Sequence, residues 1–310
     1  MTEFAKLTNE YKKYIGTIAK EYNNCAEIKL NEVEKIIKIL NGFLCNKIEL
    51  NDKEIENNIG TLVGMYFITF DIPLEMNIEL VRAVKYKEED TNKPYYKDIS
   101  RLSYIPYDSK YKVKLGRFNK KKEPTYYCSI SKDFNYCVNT ALAEIDTKEN
   151  DYVNILISKP KENLTTRYIG IFDKIRRGEE LPSFINPIFI DIYKYMENKL
   201  YGYVFVAFQI VDAFFADIIS RKSDDRLYKL TSILGLYLLE DEKIDALAYL
   251  STQSKMSFCL AIKPSSVDKK IKHEKVLVLD INKVYSYSIY EAPIIHEGKV
   301  NNGKVYYDTI

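Results

Sequence analysis

The chain has 310 residues, 46 Lys+Arg against 44 Asp+Glu for a formal charge of +2, and 46% hydrophobic residues. That length suits one large domain or two ordinary ones, with a core that needs no covalent staples. The ordinary apolar content argues against disorder, and the balanced charge argues against a protein built to grip nucleic acid.

Residues 1–70 read as helices. Leu7, Tyr11, Tyr14, Ile18 and Tyr22 recur at helical steps, and Asn31 to Leu40 repeats the pattern before a stop at Asn41-Gly42. A third helix is expected from the cap pair Asn51-Asp52 into Leu62–Phe70, with Asp71-Ile72-Pro73 breaking it. From residue 76 the character changes. Glu79 to Lys85 alternates like a strand, and a second strand is expected from Pro124. Val138 to Ile145 reads as a helix and Tyr152 to Ile157 as a strand. The loop Asp108 to Glu123 is Lys-rich, and Lys120-Lys121-Lys122 is expected in solvent. Helical periodicity returns over 161–222, and Arg226 to Leu239 is another helix. Short strands are expected at Ile244–Leu250, Phe258–Ile262 and Val276–Ile281, with a last one at Lys304-Val-Tyr-Tyr. This arrangement, without regular βαβ alternation, predicts an α+β fold.

The apolar stretch Tyr201 to Ile219 approaches the length of a membrane span. It carries Gln209, Asp212 and Asp217 on roughly one face, so we expect a buried amphipathic helix. Five cysteines (Cys25, Cys45, Cys128, Cys137 and Cys259) form no C-x-x-C pair, and the N-terminal Met-Thr-Glu-Phe-Ala-Lys is polar. Both facts point to a reduced, cytoplasmic protein with no disulfide scaffold. Trp is absent, Tyr occurs 27 times, and His occurs twice, at His273 and His296, both expected at the surface. A His-based metal site, a Ser-His-Asp triad and a Cys-His dyad all lack partners. No G-x-G-x-x-G, Walker loop or G-x-S-x-G is present.

What remains is an ordered series: Arg82, then Gly116-Arg117-Phe118-Asn119, then Tyr126-Tyr127-Cys128-Ser129, then Glu144, then Tyr249-Leu250-Ser251. This series resembles the RES domain family, named for its Arg, Glu and Ser. Arg82 and Arg117 match the two family arginines, Tyr127 the strand tyrosine, Glu144 the acid and Ser251 the serine. Ser103-Tyr104-Ile105-Pro106, Tyr228-Lys229-Leu230-Thr231 and Ala261-Ile262-Lys263-Pro264 also fit longer members. The resemblance covers about residues 78–160 and 226–281. Phe118 stands where the family has Trp, and Leu250 where Pro is common. Ala246 stands where Gly often follows the Asp, and Phe258 or Cys259 where Asn is frequent.

The resemblance implies an ADP-ribosyltransferase-like mixed sheet with a cleft for NAD as substrate, and no metal. It implies a toxin-like enzyme that cleaves the nicotinamide–ribose bond, as NAD phosphorylase or hydrolase, restrained by an antitoxin-like inhibitory protein. The residue chemistry agrees. Arg forks suit pyrophosphate oxygens. A carboxylate near the ribose suits an oxocarbenium-like centre, and nicotinamide leaves without a strong acid. Glu144, Arg82 and Ser251 are therefore the candidate catalytic residues. Arg82, Arg117, Asn119, Tyr127 and Tyr249 are the candidate NAD-binding residues, with Tyr127 and Tyr249 able to stack on a base.

Two alternatives stay open: ADP-ribosyltransfer to a protein or nucleic acid, and a non-catalytic interaction module on a degenerate fold. The expected organisation is an N-terminal helical region (1–75) and a RES-like domain (76–310) with a helical insertion at about 161–225. The helical blocks would cap the cleft, bind the inhibitor or form a homo-oligomer. No membrane association is expected.

Overall fold

Three amphipathic helices open the chain: α1 (Glu3–Tyr22), α2 (Ala26–Leu44) and α3 (Asp52–Met65). The computed structural model describes residues 3–65, 71–74, 77–88, 93–109, 111–222, 224–251 and 257–308. Helix α3 starts where the cap pair predicts. Asn51 Oδ1 accepts from the Glu54 amide while Glu54 accepts from the Asn51 amide, at 3.0 and 2.8 Å, a reciprocal capping box. The end of this helix expected at 66–70 lies outside the described residues. Helix α2 runs two residues past the expected stop at Gly42. Chain reversal falls instead at Asn46, with φ of 56°.

Strands and helices follow as β1 (Asp71–Leu74), β2 (Leu80–Lys85), β3 (Tyr126–Ile130), α4 (Phe134–Glu144), β4 (Tyr152–Pro160) and β5 (Leu164–Tyr168). Then come α5 (Ile171–Arg176), α6 (Ile188–Lys199), α7 (Gly202–Ser220), α8 (Asp225–Leu239), β6 (Ala246–Leu250) and β7 (Phe258–Ile262). The chain closes with α9 (Pro264–Lys270), β8 (Ile271–Asp280), β9 (Lys283–Tyr285), β10 (Ile289–Glu291), β11 (Ile294–Asn301) and β12 (Lys304–Tyr307). The fold is α+β, as the sequence predicts. Among the described residues ten strands form one mixed sheet in the order β1-β5-β6-β7-β3-β2-β4-β8-β11-β12, and β9 with β10 forms a separate hairpin. Within the described residues only β5 and β6 run parallel.

Two expectations change. Asp71-Ile72-Pro73 is not merely a breaker but edge strand β1, where Pro73 removes no ladder bond that the sheet needs. The segment after 161 begins with β5, not a helix. Leu164, Thr166 and Tyr168 alternate inward, and the spacing of Leu164 and Tyr168 suits either period.

The sheet separates two cores. Along β2, β4 and β8, residues Leu80, Leu156 and Val276 join the large core that the helical blocks cover, while Val81, Ala83, Ile155, Leu277 and Leu279 join a second core under α4. This is the two-residue alternation of a strand with both faces covered. Helices α1–α3 and α5–α8 therefore share one apolar interior.

Among the described residues, α7 is the one helix long and apolar enough to cross a membrane. Its polar residues have partners on the chain, and of the three Asp217 is exposed. Gln209 donates to the Tyr193 hydroxyl, and Asp217 pairs with Arg221. Asp212 is fully buried and accepts from the amides of Gly170 and Asp173, at 3.2 and 2.6 Å. Its carboxylate thus caps the start of α5, where the helix leaves N–H groups unpaired. Asp212→Ala leaves those amides without this partner and should lower stability by about 2–4 kcal/mol. Urea unfolding of the two proteins measures the difference, and an unchanged midpoint would contradict the capping role.

Candidate functional site

Strands β2 and β3 begin as an antiparallel pair, Leu80 with Ile130 and Val81 with Ser129, and then part. The Arg82 guanidinium sits where the ladder stops. Its Nε donates to Leu102 O at 3.0 Å and its Nη1 to Tyr127 O at 2.8 Å, so the side chain satisfies a strand carbonyl that β2 no longer serves. Its far side lies over the Tyr126 ring, 5.5 Å from the centroid. Burial lowers the Arg82 pKa from the usual arginine value.

Beside this gap the Gly116-Arg117-Phe118-Asn119 segment makes a tight turn in which the Gly116 amide donates to Asn119 O. A side chain at Gly116 would meet Asn119 Oδ1 at 2.3 Å and would displace the Asn119 amide. Asn119 donates to Lys114 O and Lys120 O and accepts from the Tyr127 hydroxyl at 2.9 Å. That hydroxyl in turn accepts from the Phe118 amide at 2.8 Å. The turn and β3 are therefore one hydrogen-bonded unit. Phe118 is buried edge-on against Tyr249, and its backbone approaches Gly235 of α8 so closely that a Cβ there would lie 2.8 Å from it.

Arg117 reaches the far end of α7. Its Nη1 donates to Ile219 O and its Nη2 to Arg221 O, carbonyls that the helix end leaves without internal partners. The other flank of its guanidinium faces the Tyr228 ring, 5.9 Å away.

Glu144 ends α4. A carboxylate in the last helical turn opposes the helix dipole, so local propensity does not explain it. The exposed Glu144 accepts from Ser251 Oγ at 2.6 Å, and Ser251 is fixed through its amide to Ser257 O. Thr140 Oγ1 lies 2.9 Å from Ser257 Oγ, which ties α4 to the same segment.

These elements enclose a cavity of about 280 Å³ bordered by Arg82, Arg117, Tyr127, Glu144, Tyr228 and Tyr249. Five of the seven residues that the sequence singles out thus meet at one cavity. Ser251 stands behind Glu144 rather than on the wall. Asn119 does not border it; its side chain is a strut for Tyr127. Asn119 instead lines a larger depression of about 560 Å³ on the other side of the turn, with Glu56, Phe118, Leu236 and Glu240. That depression contains none of Arg82, Arg117 and Glu144. Burial holds the phenols of Tyr127 and Tyr249 above the ordinary tyrosine range, so both are neutral. Buried Cys128 and Cys259 also border the cavity as raised-pKa thiols. Tyr228 lies in one of the stretches that fit longer family members, but neither spacing nor residue type marks it for the site.

The histidines are half-buried rather than at the surface as expected. His296 packs edge-on against Tyr95. His273 lies with Nδ1 2.7 Å from Ser158 Oγ, which is 3.3 Å from the Tyr126 hydroxyl under Arg82. A bulge at Glu274 of β8, opposite Ile157 and Ser158 of β4, brings His273 beside Ser158, which the isolated His in the sequence does not reveal. Lys120 is likewise drawn back to Glu56, while Lys121 and Lys122 stay in solvent.

Comparison with protein-family models, curated proteins and solved structures finds no match to this chain.

Burial lowers the His273 pKa from 6.5 to about 4. The unfolded chain therefore takes up this proton before the fold does, and stability falls as pH drops from about 6.5 to about 4, by up to about 3 kcal/mol. Urea midpoints measured at pH 7 and pH 4.5 should differ more for the wild type than for His273→Gln. An equal pH dependence in both would contradict the assignment. Tyr127→Phe should cost about 1–3 kcal/mol by leaving the Phe118 amide and Asn119 Oδ1 without the hydroxyl. Thermal unfolding checks this, and an unchanged Tm would refute the strut.

Proposed function

We propose that the chain is a RES-type enzyme that cleaves the nicotinamide–ribose bond of NAD, with phosphate or water as acceptor. The observation that carries this reading is the meeting of Arg82, Arg117, Tyr127, Glu144 and Tyr249, from separate elements, around one cavity. The charges suit the substrate: two guanidinium groups for a pyrophosphate and one carboxylate for a developing cation. A cavity of about 280 Å³ is small for a ligand pocket. It suits the nicotinamide riboside half, with the adenosine half at the mouth. Exposed Lys112, Lys114, Lys121 and Lys122 on the neighbouring loop favour approach of an anion.

In the reaction the bond between the nicotinamide nitrogen and ribose C1′ breaks, and its electron pair leaves with neutral nicotinamide. Glu144 stabilises the cationic ribose, oriented by the Ser251 hydroxyl that donates to it. Phosphate or water oxygen then bonds to C1′, and water releases its extra proton to solvent. Arg82 and Arg117 hold the diphosphate, which fixes the ribose against Glu144.

Glu144 is exposed at the mouth. That position also admits a macromolecular acceptor and is the observation favouring ADP-ribosyltransfer as a second reading. An antitoxin-like inhibitor and a cytoplasmic setting belong to the same proposal.

Purified protein incubated with NAD and phosphate should release nicotinamide, and Glu144→Gln should slow release about 100- to 1,000-fold. Absence of nicotinamide from the wild-type reaction would sink the proposal. NAD labelled in its ADP-ribose part separates the acceptors: label confined to small molecules supports phosphorolysis or hydrolysis, and label on protein or nucleic acid supports transfer.

A further inference from the structure

Three tyrosine rings border the cavity, and they differ in what holds them. Tyr127 is locked through its hydroxyl to Asn119 and the Phe118 amide. Tyr249 is 4% exposed and packed edge-on against Phe118. Tyr228 is half-buried on the first turns of α8, with Arg117 facing its ring.

The flanks of Tyr228 are anchored to the N-terminal helices. Arg226 donates to Phe43 O and pairs with Glu49, and Lys229 pairs with Asp52 at 2.6 Å. Asp224 caps α8 by accepting from the Leu227 amide. Tyr228 is therefore carried on an anchored helix start where it borders the cavity.

We infer that Tyr228 is the platform on which the planar base of the ligand stacks, with Arg117 fixed between this ring and the carbonyl end of α7. The inference rests on the NAD reading and goes beyond it by assigning base recognition to α8 rather than to the sheet tyrosines. The helical blocks then act in ligand binding by holding Tyr228 and Arg117 at the cavity.

The chain has no Trp, so Tyr228→Trp places a single indole at the cavity. Nicotinamide quenches indole fluorescence on face-to-face contact. Titration of Tyr228→Trp with NAD, and with nicotinamide alone, should quench the emission in a saturable way. By calorimetry, Tyr228→Phe should bind NAD like the wild type, and Tyr228→Ala should bind about tenfold more weakly, as loss of a base-stacking aromatic does. In the nicotinamide-release assay Tyr228→Ala should raise KM far more than it lowers kcat. If Tyr228→Ala fails to fold, Tyr228→Leu and the indole titration carry the test. Wild-type binding of NAD with no quenching of the indole, or with unchanged affinity in the alanine or leucine variant, overturns the inference and leaves the NAD reading standing. No NAD binding by the wild type overturns both.

Discussion

The site depends on a strand separation that Arg82 makes tolerable. Strands β2 and β3 share two paired positions and then diverge within the middle of the sheet. Opening a sheet there strips carbonyl groups of their partners, and a buried unpaired carbonyl costs about 1–3 kcal/mol. A guanidinium has five donors in a planar fork, enough to serve Tyr127 O and Leu102 O together. Lysine has no such fork, and any shorter side chain would not span the gap. In a chain where only eight of the 46 basic residues are Arg, this position needs that geometry. The same charge then faces the cavity that the separation creates.

The second arginine follows the same logic at a helix end. Arg117 satisfies carbonyls of α7 and faces the Tyr228 ring of α8, so the long helical segment between β5 and β6 is bound directly to the Gly116–Asn119 turn. The turn itself is rigid because Gly116 makes room for Asn119, and Asn119 holds the Tyr127 hydroxyl. Arginine, turn and strand tyrosine thus form one connected body. Displacing any one of them shifts the cavity wall.

Much of this is legible in the sequence, for identifiable reasons. Helices α2 and α3 announce themselves by apolar spacing and by Asn51, and the strand β2 by alternation. Arg82, Glu144 and Tyr249 are legible because they stand in a recognisable order. Strand β5 is hidden because four-residue apolar spacing fits both a helix turn and two strand steps. The inward turn of His273 is hidden because it depends on a bulge at Glu274 in its own strand, β8. Asn119 reads as a ligand contact, but its donors face the backbone of its own loop. A polar residue beside a glycine turn signals local hydrogen bonding as readily as binding. For Tyr228 the sequence offers only the fit of its stretch to longer family members, since nothing local to α8 shows that the distant Arg117 faces its ring.

In the proposed function the opening between β2 and β3 is a binding cleft in which Arg82, Arg117 and Glu144 address one dinucleotide. A crystal structure with a non-cleavable NAD analogue tests it most directly. The diphosphate should lie within hydrogen-bond distance of the Arg82 and Arg117 guanidinium groups, and the ribose beside Glu144. An analogue seated in the larger depression beyond the turn, away from both arginines, would contradict it.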